Sequence, residues 1–176
     1  MYSEIKKIAL IGPESTGKTT LCRQLAMHFG TQWVPEFARD YISGLNREYT
    51  LDDIVRCARE QLRLESELIK TAKRFLFCDT EMIIAKVWCE DVFEIIPGEL
   101  QVMVSAQKYD LCLLTLPDLP FLQDDVRENP HRREYFFEWY KRELEEAGYN
   151  YAVIGGTGET RLSNAIDVIR QHFPDL

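Results

Sequence analysis

The sequence predicts an α/β fold of three layers, in which a central parallel sheet of about five strands carries helices on both faces. Three observations predict it. Short apolar runs alternate with helical patterns, a glycine-rich loop follows the first run directly, and 176 residues suffice for one domain with its own core. We therefore expect one domain over residues 1–176, and the predicted strands are residues 5–11, 32–34, 75–78, 111–116 and 151–154.

Apolar residues at helical spacing fill the segments between these strands. Thr50 and Asp53 resemble a capping box at the start of a long helix, because each side chain can bond a backbone amide of the other. Asn129 followed by Pro130 predicts another helix start. The predicted helices are residues 17–29, 35–43, 50–72, 81–89, 99–108, 129–147 and 159–173.

Composition argues against two classes of partner. The net charge is −8, whereas nucleic-acid backbones require clustered Lys and Arg, so we expect no nucleic-acid partner. No apolar run approaches the roughly 20 residues of a membrane span, and no export signal is evident, so we expect a cytoplasmic protein. Five cysteines without a C-x-x-C pair are typical of buried thiols.

Residues 12–19, GPESTGKT, match the phosphate-loop pattern G-x-x-x-x-G-K-[ST]. The glycines let backbone amides turn toward anionic oxygens, and the following helix directs its positive end at them. Lys18 is expected to reach the β and γ phosphates of ATP, and Thr19 to bind Mg²⁺. The nucleotide-binding candidates here are Gly12, Pro13, Glu14, Ser15, Thr16, Gly17, Lys18, Thr19 and Thr20.

Asp79 follows the predicted strand 75–78 and is a candidate second Mg²⁺ ligand on the substrate side of the site. The structural alternative is a cap for the next helix.

Glu36 follows the second strand, where a small-molecule kinase requires a carboxylate to orient or deprotonate its acceptor hydroxyl. Asp40, one helical turn later, is expected to assist from the same face, and Arg39 to hold substrate or pair with either acid. The alternative is a solvated helix face. The sequence does not decide which of Glu36, Asp40 and Asp79 is the base.

The polar connection 117–133 is long enough to predict a lid-like loop. Arg127 and Arg133 are its candidate catalytic residues, because guanidinium groups stabilise the charge that spreads over transferring phosphoryl oxygens. The acids beside them, Asp124, Asp125 and Glu128, leave a salt-bridged surface open as the alternative.

Trp88 and Tyr41 are candidates for stacking on a flat substrate ring, although aromatic residues at helical spacing are usually core. Gly158 and Arg161 follow the last strand, where a nucleotide base often lies in proteins with a phosphate loop. A plain turn before a helix is the alternative.

Five motifs occur in a fixed order: GPESTGKTTL, PEFARDYI, a strand ending in CDT, LPFLQDDVREN and GGTGETR. With them, nearly the whole chain resembles the ribosylnicotinamide kinase domain of the NadR family. The resemblance implies a phosphate-loop kinase fold that uses Mg-ATP to convert nicotinamide riboside to nicotinamide mononucleotide. It implies phosphate and metal roles for Gly12, Gly17, Lys18 and Thr19, acceptor roles for Glu36 and Arg39, and roles for Asp79 and Arg127.

Family members often add an adenylyltransferase domain before this one, whereas here the phosphate loop begins at residue 12. We therefore do not extend adenylyl transfer or repressor activity to the chain. The alternative function is a regulatory NTPase or nucleotide-dependent protein-binding module. Asp79 is followed by Thr80 rather than the acid that orients water in such ATPases, which favours the kinase. The sequence leaves the oligomeric state open.

Overall fold

The computed structural model describes residues 4–122 and 131–175. Five strands form one fully parallel sheet in the order β2-β3-β1-β4-β5. The predicted α/β class is confirmed, and so is the number of strands; that the chain works as a single domain remains a prediction. The strands are β1 Lys6–Ile11, β2 Gln32–Val34, β3 Phe75–Asp79, β4 Leu111–Thr115 and β5 Tyr151–Ile154.

Seven α-helices and one 3₁₀ turn connect these strands in the described part of the chain. Among residues 4–122 and 131–175, no helix is both long and apolar enough to cross a membrane. The helices are α1 Lys18–Phe29, α2 Phe37–Ser43, α3 Leu51–Leu68 continued by the 3₁₀ turn Ile69–Thr71, α4 Met82–Phe93, α5 Gly98–Ala106, α6 Arg133–Glu146 and α7 Gly158–His172.

The sheet is covered on both faces, as the apolar runs predicted. Alternate residues of β1 point to opposite sides: Ile8 and Leu10 pack with α1 and α7, whereas Ala9 and Ile11 pack with α4 and α6. A third cluster joins α3, α4 and α5 around buried residues such as Ile54. The result is the predicted three-layer arrangement.

Short sequence motifs predicted the start of α3 but not that of α6. Thr50 and Asp53 form the predicted capping box before α3, with the Thr50 amide donating to Asp53 Oδ2 at 2.8 Å. The predicted start of the sixth helix was wrong, because α6 begins at Arg133; Asn129 and Pro130 lie outside the described residues. Arg132 precedes the helix and pairs with Asp91 of α4, so tertiary contact fixes this end.

Stability is expected to depend on packing between α1 and the sheet. Leu25→Ala removes a fully buried side chain and should lower the free energy of unfolding by about 2–5 kcal/mol, since the lost contacts leave a cavity. Met27→Ala on the same helix alters a side chain that is 76% exposed, and should change it by about 0.5 kcal/mol at most. Urea unfolding of both variants measures this, and equal effects would contradict the described packing of α1.

Candidate active site

The phosphate loop, residues 12–19, lies at the carboxyl ends of the central strands. Gly12 and Gly17 have φ values of +150° and +75°, which side chains disfavour. A Cβ placed on Gly12 would lie 2.3 Å from Thr115 Oγ1, so the first glycine is also required by the close approach of β4. Gly17 precedes α1 and turns the loop into the helix N-terminus, where backbone amides can bind an anion.

A pair of buried threonines joins this loop to β4. Thr16 Oγ1 donates to the Pro13 carbonyl at 2.8 Å, and it lies 2.6 Å from Thr115 Oγ1. Thr16 is 1% exposed, so its side chain supports the loop and does not face a nucleotide. Thr20 lies exposed in the first turn of α1.

Lys18 lies folded against the loop. Its Nζ donates to the carbonyl oxygens of Gly12 and Pro13 at 2.8 and 2.7 Å. Burial lowers the pKa of Lys18, while the nearby charges of Glu36 and Asp79 oppose that shift. The ammonium group is therefore placed where the loop would hold phosphate oxygens.

Asp79 ends β3 next to the phosphate loop. Thr19 Oγ1 donates to Asp79 Oδ2 at 2.5 Å, while buried Oδ1 has no hydrogen-bond partner within the described residues. Burial, followed by the charge of Glu36, raises the pKa of Asp79 to about 6.

These groups fit a magnesium site. Mg²⁺ prefers oxygen ligands, and it is usually held by one or two carboxylates together with waters and phosphate oxygens. The Thr19 hydroxyl and the unpartnered Asp79 oxygen are ligands of that kind. No cluster of three or more His, Cys, Asp or Glu occurs in residues 4–122 and 131–175, so protein groups there form no complete metal cage.

Glu36 lies between the phosphate loop and the region of α2. Glu36 has an extended backbone in the short connection between β2 and α2. Its Oε2 lies 3.4 Å from Arg39 Nε. Buried Gln61 of α3 fixes this corner, because it accepts from the Phe37 amide at 2.9 Å and donates to the Asp79 carbonyl at 3.3 Å. Gln61 thus links the residue after Glu36 to the end of β3.

One cavity of about 710 Å³ includes the phosphate loop and an aromatic wall, which consists of Tyr49, Trp88 and Phe93. Trp88 donates its Nε1 hydrogen to the Tyr49 hydroxyl at 3.2 Å, and their rings meet edge to face with centroids 5.0 Å apart. The cavity is lined by Gly12, Pro13, Glu14, Lys18, Glu36, Ala38, Arg39, Ile42, Ser43, Leu45, Arg47, Glu48, Tyr49, Ile84, Trp88, Asp91, Val92, Phe93, Phe136 and Tyr140.

Two predicted acceptor residues lie outside this cavity. Asp40 is exposed and is absent from its lining, and its expected role beside Glu36 remains a prediction. Glu36 itself precedes α2 in extended backbone, whereas Asp40 lies within the helix. Tyr41 donates to Asp53 at 2.8 Å and stacks under Arg56, so it supports α3 instead.

The described parts of the predicted lid touch the phosphate loop directly. Arg133 donates to the carbonyls of Leu119 and Ser15 at 2.7 and 3.3 Å. Ser15 Oγ donates to the Leu122 carbonyl and accepts from the Leu122 amide, each at 3.1 Å. Arg127 lies outside the described residues, and catalytic roles for both arginines remain predictions.

Arg161, which the sequence predicted as a nucleotide ligand, bonds groups of the protein itself. It is 4% exposed, and its guanidinium group bonds backbone carbonyls and Asp118. Gly158 is the exposed first residue of α7, and a Cβ placed on it would meet no atom within 4 Å among the described residues. Its predicted place beside a nucleotide base remains a prediction.

The sequence did not identify several cavity residues that come from loops and helices distant in the chain. Arg47, Glu48 and Tyr49 precede α3, Asp91 lies on α4, and Tyr140 was expected only as core. No spacing pattern marks them, since they meet only after α2, α3, α4 and α6 pack together. Asp91 accepts a bidentate pair from Arg132.

Comparison with known proteins agrees with this geometry. A family model described as an AAA domain, AAA_28, matches residues 7–161. The chain belongs to the AAA_28 family. Within the curated proteins, this AAA_28 chain is 25% identical over 127 residues to the trifunctional NAD biosynthesis/regulator protein NadR of Salmonella typhimurium and of Escherichia coli. The match covers 70% of the chain but 31% of each relative.

Solved structures extend the same resemblance. A crystal structure of NadR protein in complex with NR matches with a TM-score of 0.83 and 26% identity, over 98% of this chain and 52% of that one. A crystal structure of NadR protein in complex with NAD and AMP-PNP matches with a TM-score of 0.78 and 24% identity, over 98% of this chain and 50% of that one. Thymidylate kinase from Ehrlichia chaffeensis shares the fold, with a TM-score of 0.61 and 13% identity over 93% of this chain and 98% of that one. The predicted resemblance to NadR is confirmed.

Asp79→Asn should flatten the pH dependence of stability in the ligand-free protein. Because the pKa of Asp79 in the fold, about 6, exceeds its ordinary value of 3.8, the fold favours the protonated carboxyl. Stability from this group is fully present below about pH 4 and is lost as the pH rises through about 6. Between those limits, wild-type protein should lose on the order of 2–3 kcal/mol more unfolding free energy than Asp79→Asn.

Urea unfolding in EDTA from about pH 4 to about pH 7.5 measures this difference. Glu81, whose pKa burial raises to about 8, is present in both proteins and cancels in the comparison. Parallel pH profiles for the two proteins would contradict the raised pKa of Asp79.

Proposed function

We propose that the protein transfers the γ-phosphoryl group of Mg-ATP to a hydroxyl of a small nucleoside-like acceptor, with nicotinamide riboside as the acceptor and nicotinamide mononucleotide as the product. One observation carries the proposal: a single cavity is lined by residues of the phosphate loop, by Glu36 and by the aromatic wall. Donor and acceptor can therefore lie in line within one cavity, as phosphoryl transfer requires.

The donor side is built from the phosphate loop. Backbone amides between Gly12 and Thr19 and the N-terminus of α1 face the position of a triphosphate, and Lys18 lies on the same loop. Thr19 and Asp79 would hold Mg²⁺, which when bound neutralises charge on the phosphate oxygens. The complex of NadR with NAD and AMP-PNP supports nucleotide binding in a related chain.

On the acceptor side, Glu36 is the carboxylate best placed to act as base. Glu36 lines the cavity together with Lys18, whereas Asp40 and Asp79 are absent from the lining. Asp79 also accepts a hydrogen bond from the Thr19 hydroxyl. In the proposed reaction the acceptor hydroxyl gives its proton to Glu36, its oxygen bonds to the γ phosphorus, and the bond to ADP breaks. Arg39 is placed to orient Glu36.

The aromatic wall supports a flat acceptor ring. Tyr49, Trp88 and Phe93 meet in ring contacts in the cavity wall, and Glu48 adds an acidic group to the same lining. Aromatic faces and nearby carboxylates together favour a cationic ring such as pyridinium. NadR in complex with NR supports the same acceptor.

The chain spans 31% of the curated NadR relatives, so the proposal is limited to the kinase reaction. We further propose a cytoplasmic location and no nucleic-acid partner, which the net charge of −8 supports.

Glu36→Gln should bind ATP normally but phosphorylate nicotinamide riboside at least about 100-fold more slowly, because general-base assistance is lost. Product formation is measured with purified protein, Mg-ATP and a panel of ribosides, and ATP binding is measured separately by calorimetry. Asp40→Asn is the matched control on α2, and it should retain the wild-type rate because Asp40 lies outside the cavity.

Two results would contradict this assignment. Normal phosphoryl transfer by Glu36→Gln would remove Glu36 as the base. ATP turnover by wild-type protein that is stimulated by a protein partner and indifferent to every riboside would favour a regulatory NTPase instead.

Trp88→Leu should raise the KM for the acceptor about tenfold and leave the KM for ATP unchanged, since the ring belongs to the aromatic wall and not to the phosphate loop. Tyr135→Leu is the control, because Tyr135 is 53% exposed and does not line the cavity. Steady-state kinetics with each substrate varied in turn would measure both constants. A rise in the KM for ATP alone would place Trp88 on the wrong side of the site.

A further inference from the structure

Arg161 lies in the first turn of α7 and points into the sheet edge behind the phosphate loop. It is 4% exposed. Its Nε donates to the Gly156 carbonyl at 2.8 Å, one Nη donates to the carbonyls of Thr16 and Ile154, and the other donates to the Leu116 carbonyl and to Asp118. These acceptors belong to the phosphate loop, to the last residue of β5, and to the segments that follow β4 and β5.

The donors of this guanidinium group are fully used. An arginine side chain carries five N–H groups, and the structure gives them five acceptors. A nucleotide would have to displace one of these acceptors to gain a bond from Arg161. The geometry therefore argues against direct contact between Arg161 and ATP.

Asp118 completes the connection between the segments after β4 and β5. It pairs with Arg161, and its Oδ2 accepts from the Gly156 amide at 2.7 Å. A Cβ on Gly155 would lie 2.7 Å from Leu116 Cδ1 and 3.2 Å from Asp118 Oδ2, so the two segments are in close contact. The Asp118 carboxylate thus binds both the Arg161 guanidinium group and the backbone of Gly156, whose carbonyl Arg161 also bonds.

The segment that contains Asp118 also touches the phosphate loop farther along. A Cβ on Gly17 would lie 3.0 Å from Leu119 Cδ1, and Leu122 exchanges two hydrogen bonds with Ser15. The loop is therefore held at Thr16 by Arg161 directly, and at Ser15 and Gly17 by the segment that Asp118 secures.

We propose that Arg161 and Asp118 act as a positioning pair that holds the phosphate loop in the conformation that binds triphosphate, and that neither residue contacts the nucleotide. The inference rests on the nucleotide-binding part of the proposed function and is independent of the acceptor. It predicts an effect on the triphosphate itself, since the restrained element is the loop and not a pocket for the base.

Binding of two probes separates positioning from contact. ATP carries a base and ribose, whereas inorganic tripolyphosphate carries only the phosphates. Calorimetry at a temperature well below unfolding would give the Kd of each probe for wild type, Arg161→Lys and Asp118→Asn. Both variants should raise both Kd values by a similar factor, about tenfold, because a lysine offers three donors from one atom in place of a five-donor fork.

Arg170→Lys is the matched control on the same helix, since Arg170 is exposed and contacts only His28 at 3.4 Å in the described structure. It should leave both Kd values unchanged. Asp118 is 34% exposed, so Asp118→Asn keeps the test valid if Arg161→Lys fails to fold. Thermal unfolding of each variant confirms that the protein measured is folded.

Three results decide the matter. Similar increases in both Kd values support the positioning pair. A weaker affinity for ATP with normal affinity for tripolyphosphate would make Arg161 a contact for base or ribose and overturn the proposal. A lower unfolding temperature with both Kd values unchanged would reduce the pair to a stabilising role and also overturn it. Failure of wild-type protein to phosphorylate ribosides would contradict the proposed function and leave this binding pattern intact.

Discussion

The register of β1 against its two neighbours is the constraint on which the site depends. Leu10 lies beside Asp79 of β3, and the Thr80 amide donates to the Leu10 carbonyl at 3.2 Å. On the other side, β4 places Thr115 against Gly12. A slip by one residue would turn every side chain of the slipped strand to the opposite face and remove Asp79 from the phosphate loop.

Apolar alternation alone does not fix that register, because both faces of the sheet are buried. Residues of β1 contact one core or the other at every position from Ile8 to Ile11, so a slip would exchange apolar residues for apolar residues. Specificity comes instead from size and from polar ends: Gly12 fits against Thr115, and Thr16 meets the same hydroxyl at 2.6 Å. The phosphate loop therefore helps to fix the sheet that positions it.

Charge in the site is balanced among few groups. Glu36 and Asp79 are close enough that Glu36 raises the pKa of Asp79, and both carboxylates favour the charged form of buried Lys18. Lys18 meanwhile bonds two loop carbonyls. A triphosphate would bring negative charge beside Asp79, which is why a divalent cation at Thr19 and Asp79 suits this arrangement. Gln61 holds the two acidic positions at a set separation through backbone bonds.

The features that could be predicted from the sequence are those that a short-range residue pattern encodes. The strands, the capping box at Thr50 and the phosphate loop follow from periodicity and spacing, and Asp79 was found because it ends a strand beside that loop. The sequence could not show that Asp40 lies outside the cavity lining, because its direction depends on where α2 begins. Arg161 was assigned to the nucleotide because a motif shows that an arginine is present but does not show which carbonyls surround it. The contributions of Arg47 and Asp91 to the cavity appear only after helices pack.

The two halves of the cavity are built by different means, and this difference governs how each can change. The donor half is mostly backbone, held by glycines, by the threonine pair and by Arg161, so almost any substitution there disturbs several bonds at once. The acceptor half is made of side chains from α2, α3, α4 and α6 and the segment before α3. A change at Trp88 or Tyr49 alters the shape and charge offered to an acceptor without moving the phosphate loop. In the proposed reaction, phosphoryl transfer can therefore be retained while the acceptor changes, and the aromatic wall is the part of the cavity that would select the acceptor.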